Sequence, residues 1–248
     1  MIASLLVAIV AAQSVAAQAS ATIVPLTGRD DGSACTRDGR WCVSVISDEQ
    51  GARPVVRAGN ATTATPVRKA DEAGDDDRAS VWLRLVILGD GRFLAGVQTD
   101  SSTGYSGGGG SATQLELYDV MAGKPGTRAI FTQPIRGSLI IRACFSEKDS
   151  ATRLDACHDE YGFSARIGIV PGGTGPLPIL SYTTNAWAFP RGASRSSDST
   201  TRPPLRKRDL VREADPKCSF TRRFTYYTAT GSYRPDQPLP ACGDYTEL

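Results

Sequence analysis

The chain has 248 residues, with 28 Lys and Arg, 26 Asp and Glu, and a formal net charge of +2 at pH 7. This length suits one domain, or at most two. The near-balanced charge gives no support for nucleic acid as a partner.

Residues 1–19 have the features of a secretory signal peptide. They carry no charged side chain, and the apolar run Ile2–Val10 is followed by the small-residue sequence Ala17-Gln18-Ala19. The apolar run is too short to span a bilayer, and no later segment is long and apolar enough to do so. We therefore predict cleavage after residue 19 and a periplasmic or secreted domain over 20–248, without a membrane span.

The chain contains six cysteines: Cys35, Cys42, Cys144, Cys157, Cys218 and Cys242. An even number in an exported chain predicts disulfides. Asp38-Gly39 lies midway between the first two cysteines, and this turn signal would bring them opposite each other in a hairpin. Sequential pairing then gives Cys144–Cys157 and Cys218–Cys242. No metal site is predicted, because the chain has one histidine and no C-x-x-C pair.

Most apolar stretches have the character of β-strands. Two runs rich in β-branched and aromatic residues, Val81–Leu88 and Arg92–Thr99, flank Gly89-Asp90-Gly91, which predicts a hairpin. The run Leu85–Leu88 is apolar at both parities, which predicts a strand buried on both faces. Further strands are predicted at Trp41–Ile46 and in the sequences TQLELYDV, GSLIIRACF, GFSARIGIV, LPILSYTTNAWAF and CSFTRRFTYYTAT.

One segment has a helical pattern. Ser146 with Asp149 three residues on resembles a capping box. Apolar and His residues from Leu154 to Tyr161 recur at helical spacing, and Gly162 stands where a C-terminal cap is expected. We predict a mainly β, antiparallel, sandwich-like domain with one short helix near 147–161 and disulfides.

Two polar stretches are predicted as loops within this single domain. Residues 60–79 are small and polar and end in an acidic cluster, and residues 191–217 are rich in Ser, Arg and Pro. Composition favours two solvated loops. The alternative is that their opposite charges attract each other or a charged ligand.

Residues Gly104 to Gly108 fit the pattern G-x-S-x-G, with Ser106 at its centre. A serine hydrolase using Ser106, then Asp149 or Asp155, then His158 has a possible chain order. A nucleophile elbow, however, needs a helix after the serine. Here a run of four glycines and a predicted strand follow instead. The sequence therefore favours a glycine-rich loop over 101–111. Asp155 and His158 would share a helix face, but too few further ligands accompany them to predict a metal.

The stretch Val86–Val120 resembles the central part of periplasmic lysozyme inhibitors, which are small antiparallel β proteins. In that family a loop carrying S-G-x-x-Y enters the lysozyme cleft. Ser101 and Tyr105 have that spacing, while Ser102 stands where Gly is expected. The resemblance implies that Ser101 and Tyr105 contact the partner.

The functional hypothesis is an exported, non-catalytic binding or inhibitor-like protein. Its loop 101–111 would present Ser101, Tyr105 and Ser106 to an extracytoplasmic protein or glycan. Two alternatives stay open. One is a serine hydrolase using Ser106, His158 and Asp155. The other is a carbohydrate-binding β-sandwich that exposes aromatic residues from the set Trp41, Trp82, Trp187, Tyr226 and Tyr227. No cofactor is predicted.

Overall fold

The computed structural model describes residues 21–59, 77–89, 91–173 and 175–248. The predicted signal peptide and residues 60–76 of the first predicted loop lie outside these ranges. The strands are β1 (Thr22–Gly28), β2 (Ala34–Thr36), β3 (Trp41–Asp48), β4 (Gly51–Ala58), β5 (Asp77–Gly89), β6 (Arg92–Tyr105), β7 (Gly108–Met121), β8 (Phe131–Arg142), β9 (His158–Val170), β10 (Ile179–Phe189), β11 (Glu213–Ala214), β12 (Thr221–Tyr227) and β13 (Ser232–Pro235). The helices are α1 (Glu147–Thr152) and α2 (Gly243–Thr246).

All strands join one antiparallel sheet. Its order is β13-β12-β10-β9-β8-β7-β6-β5-β1-β2-β3-β4, and β11 pairs with β10 beside β12. Strands β5 to β10 are neighbours in chain order, so the centre of the sheet is a meander. The predicted mainly β, antiparallel fold with disulfides is confirmed. Within the described ranges, neither helix has the length and apolar character needed to cross a bilayer.

The central strands β5, β6 and β7 are buried on both faces. Leu85 and Val86 are adjacent in β5 and are both fully buried, in two different cores. Successive side chains of a strand point to opposite faces, so the β1–β4 part of the sheet covers one face and the β8–β13 part covers the other. The prediction of a strand buried on both sides is confirmed at these two residues.

The three predicted disulfides are present. Cys35 and Cys42 are direct partners across the β2–β3 hairpin, with a Cα–Cα distance of 4.0 Å. Cys144–Cys157 joins the end of β8 to the segment before β9, and Cys218–Cys242 joins the segment before β12 to α2. The cysteines in the described residues are all paired.

The helix is shorter than predicted. Ser146 caps it as expected, with its hydroxyl accepting from the Asp149 N–H at 3.2 Å, but it ends at Thr152. Leu154 and Asp155 then have left-handed φ angles of 51° and 63°, which a continuing helix does not allow. The rest of the predicted helix, His158 to Tyr161, forms the start of β9. That strand pairs with both β8 and β10, and these two ladders outweigh the local helical spacing.

The second predicted loop, 191–217, is mostly irregular. It contains 3₁₀ turns at Ser199–Thr201 and Lys207–Asp209 and the short strand β11. The last residues of the first predicted loop, 77–79, belong instead to β5.

We expect Gly137→Ala in β8 to destabilise the fold. Helix α2 packs against this glycine so closely that an added Cβ would lie 1.9 Å from the Tyr245 carbonyl oxygen. Overpacking of this kind costs roughly 1–3 kcal/mol. Gly28→Ala in β1 is the control, because its Cβ would meet no atom within 4 Å. Urea unfolding measures both, and equal midpoints for the two variants would contradict this packing.

We expect the loss of stability on removing a disulfide to increase with the length of the loop that the disulfide closes. Loop-closure entropy gives roughly 3.5 kcal/mol for Cys218–Cys242, with a sequence separation of 24, and roughly 2.5 kcal/mol for Cys35–Cys42, with a separation of 7. Paired Cys→Ala variants, compared by urea unfolding, test the order. A larger loss for the shorter loop would show that native packing, rather than loop closure, sets the contribution.

Candidate functional site

Residues 101–111 form the end of a long β-hairpin. The prediction of an irregular loop over these residues is wrong. Strand β6 continues to Tyr105, β7 begins at Gly108, and a two-residue turn of Ser106 and Gly107 joins them. Gly107 has a φ of 101°, a conformation that such tight turns require and that glycine adopts without strain. The following glycines lie in β7, because a strand ladder uses backbone groups and needs no side chains.

The glycines of β7 allow other segments of the protein to approach the strand closely. A Cβ on Gly110 would lie 3.0 Å from Leu139 Cδ1 and 2.8 Å from Leu248 Cδ2. The glycine run therefore serves packing against β8 and the C-terminal residues. It holds the hairpin end against β8.

Exposed side chains surround the hairpin turn. Tyr105 is 51% exposed, and its hydroxyl donates to the Ile140 carbonyl at 3.2 Å. Arg142 lies over Gly107 on the β8 side, and its guanidinium carbon is 5.4 Å from the centre of the Phe145 ring. Phe145 is 70% exposed. We call Tyr105, Ile140, Arg142 and Phe145 the hairpin-end surface.

Phe145 is held in place by its neighbours in the chain. Cys144 before it is bonded to Cys157, and Ser146 after it caps α1. The Phe145 N–H also donates to the Asp149 carboxylate at 3.1 Å. This hydrogen bond and that of the Ser146 hydroxyl lower the pKa of Asp149, so the carboxylate that fixes the turn stays charged. The aromatic ring is therefore exposed on a constrained backbone.

Arg142 is the cation of this surface. Its Nε donates to the Cys144 carbonyl at 2.6 Å, and no ion pair joins it to a carboxylate among the residues the structure covers. His158, which is exposed, is its direct partner in the β8–β9 ladder. A charged guanidinium without an acidic partner is available to bind one from another molecule.

The residues of the hydrolase hypothesis do not assemble. Asp155 accepts a hydrogen bond from the Ser150 hydroxyl at 2.5 Å. Within the described ranges, no hydrogen bond joins Ser106, Asp155 and His158 to one another. Strand β8 lies between the turn at Ser106 and β9, which begins at His158. Two strand spacings, about 10 Å, therefore separate their backbones.

Ser101 lies away from the turn. It is a half-buried residue of β6, opposite Ala112, and four strand residues, about 13 Å, separate it from Tyr105. The structure thus places Tyr105 and Ser106 at the hairpin end and Ser101 farther along the same strand.

The aromatic residues of the carbohydrate hypothesis are spread over β3, β5, β10 and β12. Trp82 is buried, and Trp41 packs edge-on against Phe93 at 4.8 Å. Arginine side chains lie over Trp41, Trp187 and Tyr227. They do not form a continuous bare platform in the described structure.

A cavity lies at the β5–β6 turn, at the other end of β6 from the hairpin-end surface. Its volume is about 720 Å³, and its walls are mainly apolar, with Trp41, Ile87 and Phe93 beside Arg37 and Arg40 of the β2–β3 hairpin. Its size suits a ligand pocket, but few polar groups converge on it.

Sequence reasoning missed Arg142 and Phe145. Neither belongs to a motif. The available signal was a large aromatic residue placed between a half-cystine and a helix-capping serine, where no apolar periodicity requires it. Within the described ranges, His, Cys, Asp and Glu side chains form no group of three or more that could hold a metal ion.

Comparison of the chain with protein-family models, with curated proteins and with solved structures found no match. The function must therefore be argued from the geometry of the molecule.

We expect Ser106→Ala to change neither stability nor hydrolysis of ester substrates. The hydroxyl lies in a hairpin turn and forms no hydrogen bond with a base among the described residues, so we expect it not to be an activated nucleophile. A fluorophosphonate probe with mass spectrometry checks this, and Ser106 should stay unmodified. Stoichiometric labelling that His158→Ala abolishes would establish the hydrolase instead.

Proposed function

We propose that the protein is an exported, non-catalytic binding protein that recognises an extracytoplasmic protein through the hairpin-end surface. The observation that carries this proposal is the clustering of exposed Tyr105 and Phe145 around Arg142, which forms no ion pair within the described ranges. Tyrosine and arginine are enriched among the residues that dominate binding free energy at interfaces. A phenylalanine that is 70% exposed leaves apolar area in water that a partner would cover.

Rigidity of the hairpin-end surface favours binding. Tyr105 is fixed by its hydrogen bond to Ile140, and Phe145 is fixed by a disulfide, a helix cap and Asp149. Side chains that are already ordered lose less conformational entropy on association. A hairpin end carried by a buried sheet is therefore a better binding element than an irregular glycine-rich loop would be.

The shape and charge of the surface indicate the kind of partner. From Ser102 to the turn, β6 extends beyond its pairing with the described part of β5. Arg142 adds a positive charge beside this extension. These features suit a concave partner surface with carboxylates, such as the cleft of a glycan-cleaving hydrolase. The resemblance to lysozyme inhibitors points to the same class of partner, with Tyr105 as a contact residue.

Export is part of the proposal. Disulfides form and persist in oxidising compartments, and the three present here are of the kind expected there. Together with the signal-peptide pattern of residues 1–19, they favour the periplasm or the cell exterior.

We expect Tyr105→Ala and Phe145→Ala each to weaken partner binding by about 30-fold or more, which corresponds to about 2 kcal/mol. The matched control is Tyr227→Ala, since Tyr227 is 48% exposed on the distant strand β12. The partner is first sought among extracytoplasmic glycan hydrolases, lysozyme included, by inhibition of cell-wall hydrolysis, and its affinity for each variant is then measured by calorimetry.

The Tyr227→Ala control distinguishes specific binding at the hairpin-end surface from non-specific binding to exposed aromatic residues. Loss of affinity in the Tyr105 and Phe145 variants, with the Tyr227 variant unchanged, supports the proposal. An equal loss in all three variants, or full binding by the Tyr105 and Phe145 variants, shows that the partner binds elsewhere.

A further inference from the structure

A buried ion pair lies at the start of β9. Arg153 and Asp159 are 5% and 4% exposed, and their side chains meet at 2.5 Å. The second carboxylate oxygen of Asp159 accepts a hydrogen bond from the hydroxyl of Ser199. Both oxygens of Asp159 are thus engaged, and the pair fixes the segment around Ser199 over the ends of β8 and β9.

Tyr161, two residues along β9, has a buried hydroxyl without an acceptor. The residue is 3% exposed, and its hydroxyl forms no hydrogen bond with the described protein. Burial, with a smaller contribution from nearby Asp159, raises the pKa of Tyr161 to about 12. The phenol therefore keeps its proton at neutral pH and remains a donor.

The other buried tyrosines show that this is an exception. The hydroxyls of Tyr182 and Tyr233 donate to backbone carbonyls, and those of Tyr118 and Tyr245 donate to carboxylates. Buried polar groups in folded proteins are nearly always hydrogen-bonded, so a donor that the described residues leave without a partner calls for a further acceptor.

Tyr161 lines a polar cavity of about 280 Å³ between the ends of β8 and β9 and residues 194–199. This volume is near the lower limit for ligand pockets and suits a molecule the size of a monosaccharide or smaller. The lining residues include the serines of residues 194–199 and two exposed cations, Arg142 and Arg195. The cavity is separate from the apolar one beside Trp41.

Two arginines and two aspartates line the cavity. Both oxygens of Asp159 are engaged, by Arg153 and Ser199, and Asp198 accepts with Oδ1 from the N–H and hydroxyl of Thr200. Arg195 donates with Nη1 to carbonyls of α2 and of its C-cap Glu247, and its other N–H groups form no hydrogen bond with the described part of the chain. A ligand that supplies acceptor oxygens would complement these donors.

We propose that this cavity binds a small molecule carrying an oxyanion, a carboxylate or sulfate of monosaccharide size or smaller. One anionic oxygen accepts a hydrogen bond from the Tyr161 hydroxyl, and Arg195 balances the charge. The cavity shares Arg142 with the hairpin-end surface, whereas Tyr105 and Phe145 do not line it. Tyr161→Phe therefore tests the cavity separately from the Tyr105 and Phe145 variants.

The test is an NMR titration of the purified, disulfide-bonded protein with D-glucuronate, sulfate and D-glucose. Glucuronate and glucose share size and hydroxyl groups and differ in the carboxylate. We expect glucuronate or sulfate to shift the amide signals of residues 194–199, and glucose to leave them unchanged. Tyr161→Phe should weaken this binding about tenfold or more, since a hydrogen bond to a charged group is lost. Tyr233→Phe, whose hydroxyl donates to Pro178, is the control and should bind as the unaltered protein does.

Unfolding without any ligand provides a second readout. Tyr161→Phe removes an unsatisfied hydroxyl, so its urea midpoint should equal or exceed that of the unaltered protein, whereas that of Tyr233→Phe should fall. The proposal is overturned if neither anion causes shifts, if glucose binds as well as glucuronate, or if Tyr161→Phe retains full affinity. It is also overturned if Tyr161→Phe unfolds as early as Tyr233→Phe, because water would then satisfy the hydroxyl.

Discussion

Burial of both faces of the β5–β6–β7 ladder is the constraint on which the rest of the structure depends. Antiparallel sheets commonly keep one face in water. Here Phe93 and Leu94, adjacent in β6, are both buried and belong to different cores. The remaining strands must therefore cover two faces. The sheet continues from both edges of the β5–β6–β7 ladder, and its two ends fold over opposite faces of that ladder. Gly96 is part of this arrangement, because a Cβ there would lie 2.8 Å from the Cβ of Trp82 at the β5 bulge.

The rigid centre determines what the hairpin end can do. Strands β6 and β7 leave the core as a continuous ladder, and β8 pairs with β7 up to Gly109. The exposed side chains at the end therefore stand on a platform with little freedom. A surface of this kind favours recognition of a preformed shape, and within the described residues no hydrogen bond joins Ser106 to His158.

Features set by local chemistry could be predicted from the sequence, and features set by distant contacts could not. The Cys35–Cys42 bridge follows from a turn signal between the two residues, and the β5–β6 hairpin follows from a glycine-containing turn. The predicted helix is too long because His158 and Tyr161 match a helical period. Their strand conformation depends on β8 and β10, which no local pattern reveals. The glycines of β7 predict a loop because their close neighbour, β8, is some thirty residues away in sequence.

Side chains along β8 and β9 alternate between the two faces of the sheet, and this explains how one strand pair supports two different kinds of site. Arg142 and His158 are direct partners, as are Ile141 and Asp159, and successive residues of each strand face opposite sides. The exposed side carries the cation of the hairpin-end surface, and the covered side carries Asp159 and Tyr161. An acidic residue in a buried strand position is costly unless it is paired, and Arg153 and Ser199 supply that pairing. The hydrogen bond from Ser199 to Asp159 also fixes the serine-rich segment above Tyr161, so a contact that satisfies the buried carboxylate helps to build the wall of the polar cavity.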